Sequence, residues 1–451
     1  MSPTLSRRDF LRLTAAGSAA ASVTVACQMP SAQTTTLKPG MRLRHAAVGV
    51  GGMGGSDLGQ IASHPDVDIV ALCDVDAGRL AEAAKKYPKA RTFSSWRAMF
   101  EAMAEEIDSV HVTIPDHNHA IVAAWAMAMG MHVYCQKPLT HDVWEARMLQ
   151  RAAHHHGAVT QMGIQNHSGA NYLSALNYFD NAPFPAVSEV HVWTDRPAGW
   201  WPQNVEMPEG EDEVPEGLDW NQWLGTAPDR PYVKGAYHAF VWRGRKAFGT
   251  GAQGDMACHL MDPALWFLGI TAPTSVQSLG PKPTADSFPL WSEIRYQFPA
   301  SARTHADGVK VVWYDGKRLP QDNFDAFGVE KPYANASFFI SGDEALLVSP
   351  YEPCRLFRRG EGEQEFTPPK VDGVHHWHQY VDACFGRDQC TANFDYAAPL
   401  SEVALLGNIA MEYPEETLKW DAEKLSFPSH PDADAWLKRR YRNKWNLPLG
   451  S

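Results

Sequence analysis

Gly49-Val50-Gly51-Gly52-Met53-Gly54 decides the fold of this 451-residue chain. Immediately before it, Leu43 to Gly51 reads as a buried strand with Ala46-Ala47-Val48 as its apolar run, and Pro39-Gly40 closes a polar linker upstream. Glycines at 49, 51 and 54 have the spacing of a dinucleotide turn. The first permits a tight turn, the second a close approach of backbone to pyrophosphate, the third close packing of the next helix on the sheet. Gly52 and Met53 complete the loop, and Ser56 to Ile61 supplies a helix whose N-terminal N–H groups and dipole favour a phosphate. A lone glycine pattern is a weak signal, so the flanking sequence has to carry it.

It does so in regular alternation. Val67 to Asp74 is a second strand, ending in an acid about 20 residues past the glycines, where a carboxylate would hold the adenosine ribose hydroxyls. Asp74 therefore favours NAD over NADP, with Arg79 softening the preference; the competing role is a helix cap for the segment starting at Asp76. Tyr87 to Phe93, a helix from Ser94 to Ala104, and a strand from Ser109 to Pro115 follow. Strand and helix alternating in this way predict a doubly wound parallel sheet over 43–165.

The remaining chain changes character. Ser188 to Thr194, Ile294 to Phe298, Lys310 to Tyr314 and Ser337 to Ile340 alternate apolar with polar residues, which predicts an open-faced mixed sheet within an α+β domain over 166–395. Helices and a tail follow over 396–451, the helical part from about Tyr396 to Tyr413 returning to the first domain. The fold class is thus α/β plus α+β.

At the N-terminus, Arg7-Arg8 with Phe10-Leu11 and a small-residue core from Leu13 to Ala21 read as a twin-arginine signal over 1–32, followed by a linker over 33–42. The apolar stretch is too short to span a membrane. This reading places the mature protein in the periplasm or otherwise outside the cytoplasm, with the twin-arginine translocase as its export partner. Cys27, after Val25-Ala26, is a lipidation candidate weakened by Thr24 at a position that usually holds an aliphatic residue. Free nicotinamide cofactor is cytoplasmic, so an exported protein built around one must either carry it across the membrane already bound or not use it.

A net charge of −12 argues against nucleic acid, and no later apolar run reaches the length of a spanning helix. The seven cysteines lack metal-type spacing, although Cys384 and Cys390 could pair in an oxidising compartment. Three consecutive imidazoles, His154 to His156, point three ways around a helix, so they read as a solvated end; His375, His376 and His378 read as surface or interdomain residues. No metal site is expected.

Ile114-Pro115-Asp116-His117-Asn118-His119, Gly130 through Gln136-Lys137-Pro138-Leu139, and Gly254-Asp255-Met256-Ala257-Cys258-His259-Leu260-Met261-Asp262 together give the chain its family likeness. With the glycine loop they resemble the glucose-fructose oxidoreductase / inositol dehydrogenase / rhizopine catabolism family (Gfo/Idh/MocA), over nearly all the mature chain. The resemblance implies that Lys137, from a Glu-Lys-Pro motif here changed to Gln136-Lys137-Pro138, lies near the nicotinamide and the reacting hydroxyl. It implies His259 as general base, with Asp255 orienting it or binding substrate from one helical turn away, and His119 at the cofactor edge. Ile114, Pro115, Gln136 and Gln165 complete the expected cofactor contacts. Asp262 is less certain, because Asp262-Pro263 is also a helix-start pair. Oligomerisation through the open sheet face is implied by resemblance only.

A Pro- and Trp-rich excursion with Trp200, Trp201, Trp220, Trp223 and Trp242 lies between strands. Its tryptophans either stack on pyranose rings or glue the insertion down. Asn166, Trp200, Tyr237 and Arg243 are the candidate substrate contacts. Three functions compete: a carbohydrate or cyclitol oxidoreductase with tightly bound NAD, a redox-neutral glycoside hydrolase working through a transient 3-keto sugar, and a noncatalytic sugar-binding protein, for which Gln136 is the sole support.

Overall fold

The computed structural model describes residues 37, 38, 40–181, 184–442 and 445–448. The twin-arginine reading, Cys27 and half of the linker lie outside these residues.

Strands β1 (Leu43–Val48), β2 (Val67–Cys73), β3 (Arg91–Phe93), β4 (Ser109–Val112), β5 (His132–Cys135) and β6 (Thr160–Met162) form a six-stranded parallel sheet. Their order, β3-β2-β1-β4-β5-β6, reverses between β1 and β4, and ligands of such sheets bind at that switch point. Helices α1 (Met53–Ala62), α2 (Ala77–Lys86), α3 (Trp96–Met103), α4 (His119–Ala128) and α5 (Val143–His156) connect the strands. The α5 boundaries follow from sequence chemistry. Asp142 and Glu145 form a reciprocal capping box at its start, and Gly157, at φ 61°, takes the left-handed conformation that ends it. Helix α1 instead begins after Gly52, where no side chain caps the first turn and, of its N–H groups, that of Gly54 is taken by the Gly51 carbonyl at 3.0 Å.

The second sheet is mixed and nine-stranded: β7 (Glu189–Trp193), β8 (Ser275–Ser278), β9 (Glu293–Phe298), β10 (Val309–Tyr314), β11 (Ala336–Ser341), β12 (Glu344–Val348), β13 (Arg355–Arg358), β14 (Gly362–Glu363) and β15 (Thr417–Lys419). Strands β7 and β10 pair in parallel, and the other pairs are antiparallel. Helices α6 (Ala170–Asn181), α7 (Trp220–Leu224), α8 (Gly251–Leu260), α9 (Asp262–Leu268), α10 (Gln321–Phe327), α11 (His376–Cys384) and α12 (Phe394–Ala410) accompany it. The alternation read from sequence sorts the two faces. Ile294, Tyr296, Val311, Trp313 and Phe339 join the core shared with the first domain. On the other face Trp193, Val312, Phe338 and Leu347 are covered by Phe324 and Phe327 of α10, whereas Arg295 and Lys419 stay exposed, so the open face is only partly open.

Pro263 has the effect its chemistry dictates. The segment from Gly251 is two helices, α8 and α9, divided at Met261, with the proline in the first turn of α9. Helix α12 then ties the halves together: Arg147 of α5 makes two hydrogen bonds to Glu402, at 2.5 and 2.9 Å, and Asn408 donates to the carbonyl of Thr250 just before α8.

Among the described residues no helix is long and apolar enough to cross a membrane, and no group of three or more His, Cys, Asp or Glu could hold a metal ion. The six described cysteines are free and buried, Cys384 and Cys390 included. One histidine reading needs correction: His156 packs inside, while His154 reaches Asp395. His376 takes the interdomain alternative, buried between Ser168, Gln161 and the Met162 carbonyl.

Candidate functional site

A cleft of about 500 Å³ runs from the glycine loop, across the ends of β4 and β5, to α8 and the 194–250 excursion. The glycine loop fits a dinucleotide. A Cβ on Gly54 would lie 2.2 Å from the Gly49 carbonyl oxygen, and one on Gly49, at φ 88°, 2.1 Å from that of Thr113, so only glycine lets loop, helix and sheet approach this closely. Gly51, Gly52 and Met53 border the cleft, and open space adjoins Gly52. Asp74 lines it too, accepting from the backbone N–H groups of Val50 (2.9 Å) and Asp76 (3.0 Å); burial raises its carboxyl and these bonds oppose the rise. The helix cap is Asp76, which accepts from Gly78 and Arg79, so Asp74 is not used as a cap.

Ile114, Pro115, His119, Gln136, Lys137 and Gln165 meet at the middle of the cleft. The His119 ring nitrogens lie 2.9 and 2.7 Å from the Pro138 and Ile114 carbonyl oxygens, fixing the turns after β4 and β5 relative to each other. Lys137 crosses the domain boundary: its Nζ donates to Asp255 Oδ1 at 2.8 Å and to the Asp255 carbonyl at 2.7 Å. Arg243 Nε reaches the same Oδ1 at 3.2 Å. Burial alone would raise the Asp255 carboxyl, but the two cations outweigh it and hold the group down at about 2. An ammonium has three N–H donors, so Lys137 keeps one for a ligand oxygen.

The expected Asp255–His259 partnership is corrected by this geometry. Asp255 is taken up by Lys137 and Arg243, while His259 has no hydrogen-bond partner at its buried Nδ1. Burial first, and Lys137 second, lower His259 to about 3, so the ring is neutral at pH 7. The ring departs from the near-neutral value of a solvated imidazole because α8 is buried along nearly its whole length.

Of the four candidate substrate contacts, Trp200 and Arg243 line the cleft; Tyr237 and Asn166 do not. Tyr237, 1% exposed, belongs to an aromatic core with Trp220, Trp223, Trp242 and Phe248 that holds the excursion together. Trp220 and Trp223 stack at 4.7 Å within that core, while Trp200, 50% exposed, lies under the Arg196 guanidinium at 3.5 Å. The tryptophans thus divide between the two roles weighed from sequence. Asp262 is wholly buried, accepting from Tyr396 and paired with His167 Nδ1 at 2.9 Å.

The excursion also covers the nucleotide side. Ala77 donates to the Gly217 carbonyl and Asp219 to that of Val75, each at 2.9 Å, and His238 Nε2 meets Asp76 Oδ2 at 3.1 Å. His117, without a role in the sequence, anchors it from below through the Trp223 and Phe248 carbonyls.

Two buried acids escaped the sequence reading. Asp57, on α1, accepts from Thr113 Oγ1 (2.8 Å), Gln136 Nε2 (3.0 Å) and Trp377 Nε1 (2.9 Å), and burial pushes it to about 6 against those bonds. Asp116 lines the cleft and accepts from Thr250 Oγ1 at 2.8 Å. A signal for Asp57 was present, since it shares a stripe with Gly54, Leu58 and Ile61, the helical spacing of a buried face. Asp116 opens the short 3-10 turn Asp116–Asn118 inside the Ile114–His119 motif, but no spacing in the sequence sets it apart from its neighbours there.

Comparison with known proteins agrees with the architecture. Residues 43–164 match the NAD-binding Rossmann fold of the Gfo/Idh/MocA oxidoreductase family, and residues 198–331 match the C-terminal alpha/beta domain of the same family. The chain belongs to this oxidoreductase family. It is 27% identical over 154 residues to inositol 2-dehydrogenase of Salmonella paratyphi B, covering 34% of this chain and 45% of the relative. It is 32% identical over 143 residues to a glycosyl hydrolase family 109 protein of Stenotrophomonas maltophilia, covering 29% of each. These matches span less than half the length of either relative. The WlbA dehydrogenase from Bordetella pertussis, solved in complex with NADH and UDP-GlcNAcA, shares the fold at TM-score 0.59 and 16% identity, covering 84% of this chain and 99% of that one.

Proposed function

We propose that the protein is an exported carbohydrate or cyclitol oxidoreductase that keeps NAD, rather than NADP, as a bound prosthetic group. The observation that carries this reading is the Lys137–Asp255 pair at 2.8 Å, which sets a cation from the nucleotide domain and a carboxylate from the substrate domain in the same cleft as the glycine loop. Gly49, Gly51, Gly52, Met53 and Gly54 would hold the pyrophosphate, Asp74 the adenosine ribose, and Ile114, Pro115, His119, Gln136 and Gln165 the nicotinamide end. When bound, the nicotinamide supplies an acceptor for hydrogen and its electron pair from a carbinol carbon.

The remaining work falls to side chains. Lys137 offers its third N–H to the carbinol oxygen; Asp255 keeps that lysine in place. Neutral His259 can hold a sugar hydroxyl through a cleft-facing ring, and Trp200 offers an exposed ring face for the apolar side of a pyranose. The Gly217–Asp219 and His238 contacts beside Asp74 support retention of the nucleotide, as export in the folded state would require.

The test begins with nucleotide released on denaturing purified protein, followed by turnover of sugars and of a nitrophenyl glycoside with no added NAD. Stoichiometric NAD that is reduced by a sugar supports the reading. Nitrophenol release instead selects the redox-neutral hydrolase, which the match to a glycosyl hydrolase family 109 protein keeps in contention. An empty protein indifferent to NAD refutes both and leaves the noncatalytic sugar-binding reading.

A further inference from the structure

The proposed oxidation needs a destination for the carbinol proton, and the expected groups serve it badly. Lys137 already donates twice to Asp255, and a neutral His259 whose conjugate acid has a value of about 3 holds a proton poorly at pH 7. Asp116 is placed differently. It follows Pro115 on the turn after β4, at the sheet's switch point, and is 4% exposed, its remaining surface in the cleft that Lys137, Asp255 and His259 also line. Thr250 Oγ1 holds its Oδ2 at 2.8 Å from the residue preceding α8, the helix that carries Asp255 and His259. The acid is thereby fixed to both domains.

We propose that Asp116 is a further catalytic residue, the group that receives the carbinol proton. The inference rests on the oxidoreductase reading above. The carbinol carbon gives up hydrogen with its electron pair to the bound nicotinamide, the carbinol oxygen gives up its proton to the Asp116 carboxylate, and the carbon–oxygen double bond forms. The substrate is oxidised, the nicotinamide is reduced, and Asp116 ends as the neutral acid. Its charge neighbours suit that exchange. Burial raises Asp116 to about 7; the Thr250 bond opposes the rise, Asp255 adds to it, and Arg243 and Lys137 oppose it. Cys135 on β5 and Cys258 on α8 face it as neutral thiols, each raised by its own burial. A proton acceptor works best with an affinity near the working pH, which Asp116 has and His259 lacks.

The experiment uses the full-length holoenzyme and two readouts. Infrared difference spectra between buffers about two pH units either side of neutrality report the carboxylic acid directly. Asp57, at about 6, and Asp315, at about 7, lose their protons over the same range in the wild type and in Asp116→Asn, so the wild-type-minus-Asp116→Asn difference is expected to show one further protonated carboxyl lost through pH 7. Thr250→Val, which removes a bond favouring the charged form, is expected to move the midpoint upward. In turnover of whichever sugar reduces the bound nucleotide, Asp116→Asn is expected to lower kcat about a hundredfold with little change in KM. The wild-type kcat is expected to rise with pH through 7, and that limb should be lost in Asp116→Asn and moved upward in Thr250→Val. A wild-type-minus-Asp116→Asn difference without that further carboxyl, a limb that survives Asp116→Asn, or a Thr250→Val midpoint that stays in place overturns the assignment while leaving the oxidoreductase reading intact. A wild type that no sugar reduces overturns that reading and this one with it.

Discussion

Replacing Gln136 with glutamate restores the Glu-Lys-Pro motif of the family and should cost stability that grows with pH. Gln136 Nε2 donates to Asp57 Oδ2 at 3.0 Å, so the substitution sets two carboxylate oxygens against each other inside the fold. Two unit charges at that separation, in an effective dielectric near 20, repel by about 5 kcal/mol, or roughly four pKa units. The pair avoids this by keeping one proton. In the wild type, Asp57 is raised from 3.8 to about 6, so the folded state holds a proton that the unfolded chain has lost. Stability therefore falls between those values, by about 3 kcal/mol in all, and this contribution is flat above pH 6. In Gln136→Glu the proton stays bound far above pH 6, so the fall continues at about 1.4 kcal/mol per pH unit. Urea unfolding followed by tryptophan fluorescence should show variant and wild type drawing together at low pH and separating by about 3 kcal/mol between pH 6 and pH 8. A difference independent of pH would refute the reasoning, because a merely steric defect carries no proton.

Other substitutions probe the cleft. Gly54→Ala forces a Cβ against the Gly49 carbonyl and should lower co-purified nucleotide at least about tenfold, read from the absorbance of the denatured supernatant. Asp255→Asn leaves Lys137 and Arg243 part-buried without their shared anion; it should cost about 3 kcal/mol in urea unfolding as well as turnover. Trp200→Ala should raise KM about tenfold while leaving stability within about 0.5 kcal/mol, since the ring is half exposed; an unchanged KM removes it from the site. His238→Ala removes the contact to Asp76 and should speed nucleotide loss in repeated gel filtration with little effect on kcat.

The elements that could be read from sequence were those whose neighbours are close in the chain. The strand, glycine turn and helix from Leu43 to Ala62 announce themselves by spacing, and Pro263 marks the break between α8 and α9. Long-range pairing could not be read. Lys137 and Asp255 stand 118 residues apart, and periodicity carries no record of which cation a carboxylate will meet. The family motif suggested that Asp255 serves His259, and only the fold shows that Arg243, from the excursion, competes for it. Gln136 is a similar case: as an isolated change it looked like a lost charge, but beside Asp57 it is the neutral partner a buried carboxylate needs. Tyr237 was misjudged because an aromatic in a long irregular segment can serve the segment's own core as readily as a ligand.

The contacts of the excursion with the turn after β2 also set an order of events during synthesis. The six strands of the nucleotide sheet end at Met162, yet the wall beside Asp74 is made by residues near 217 and 238, and Arg439 of the tail donates to the His117 carbonyl at 2.5 Å beneath the same cleft. A nascent chain with its first domain out of the ribosome would have the glycine loop and no wall. Nucleotide met at that stage could leave again, and retention would begin only once nearly the whole polypeptide had emerged.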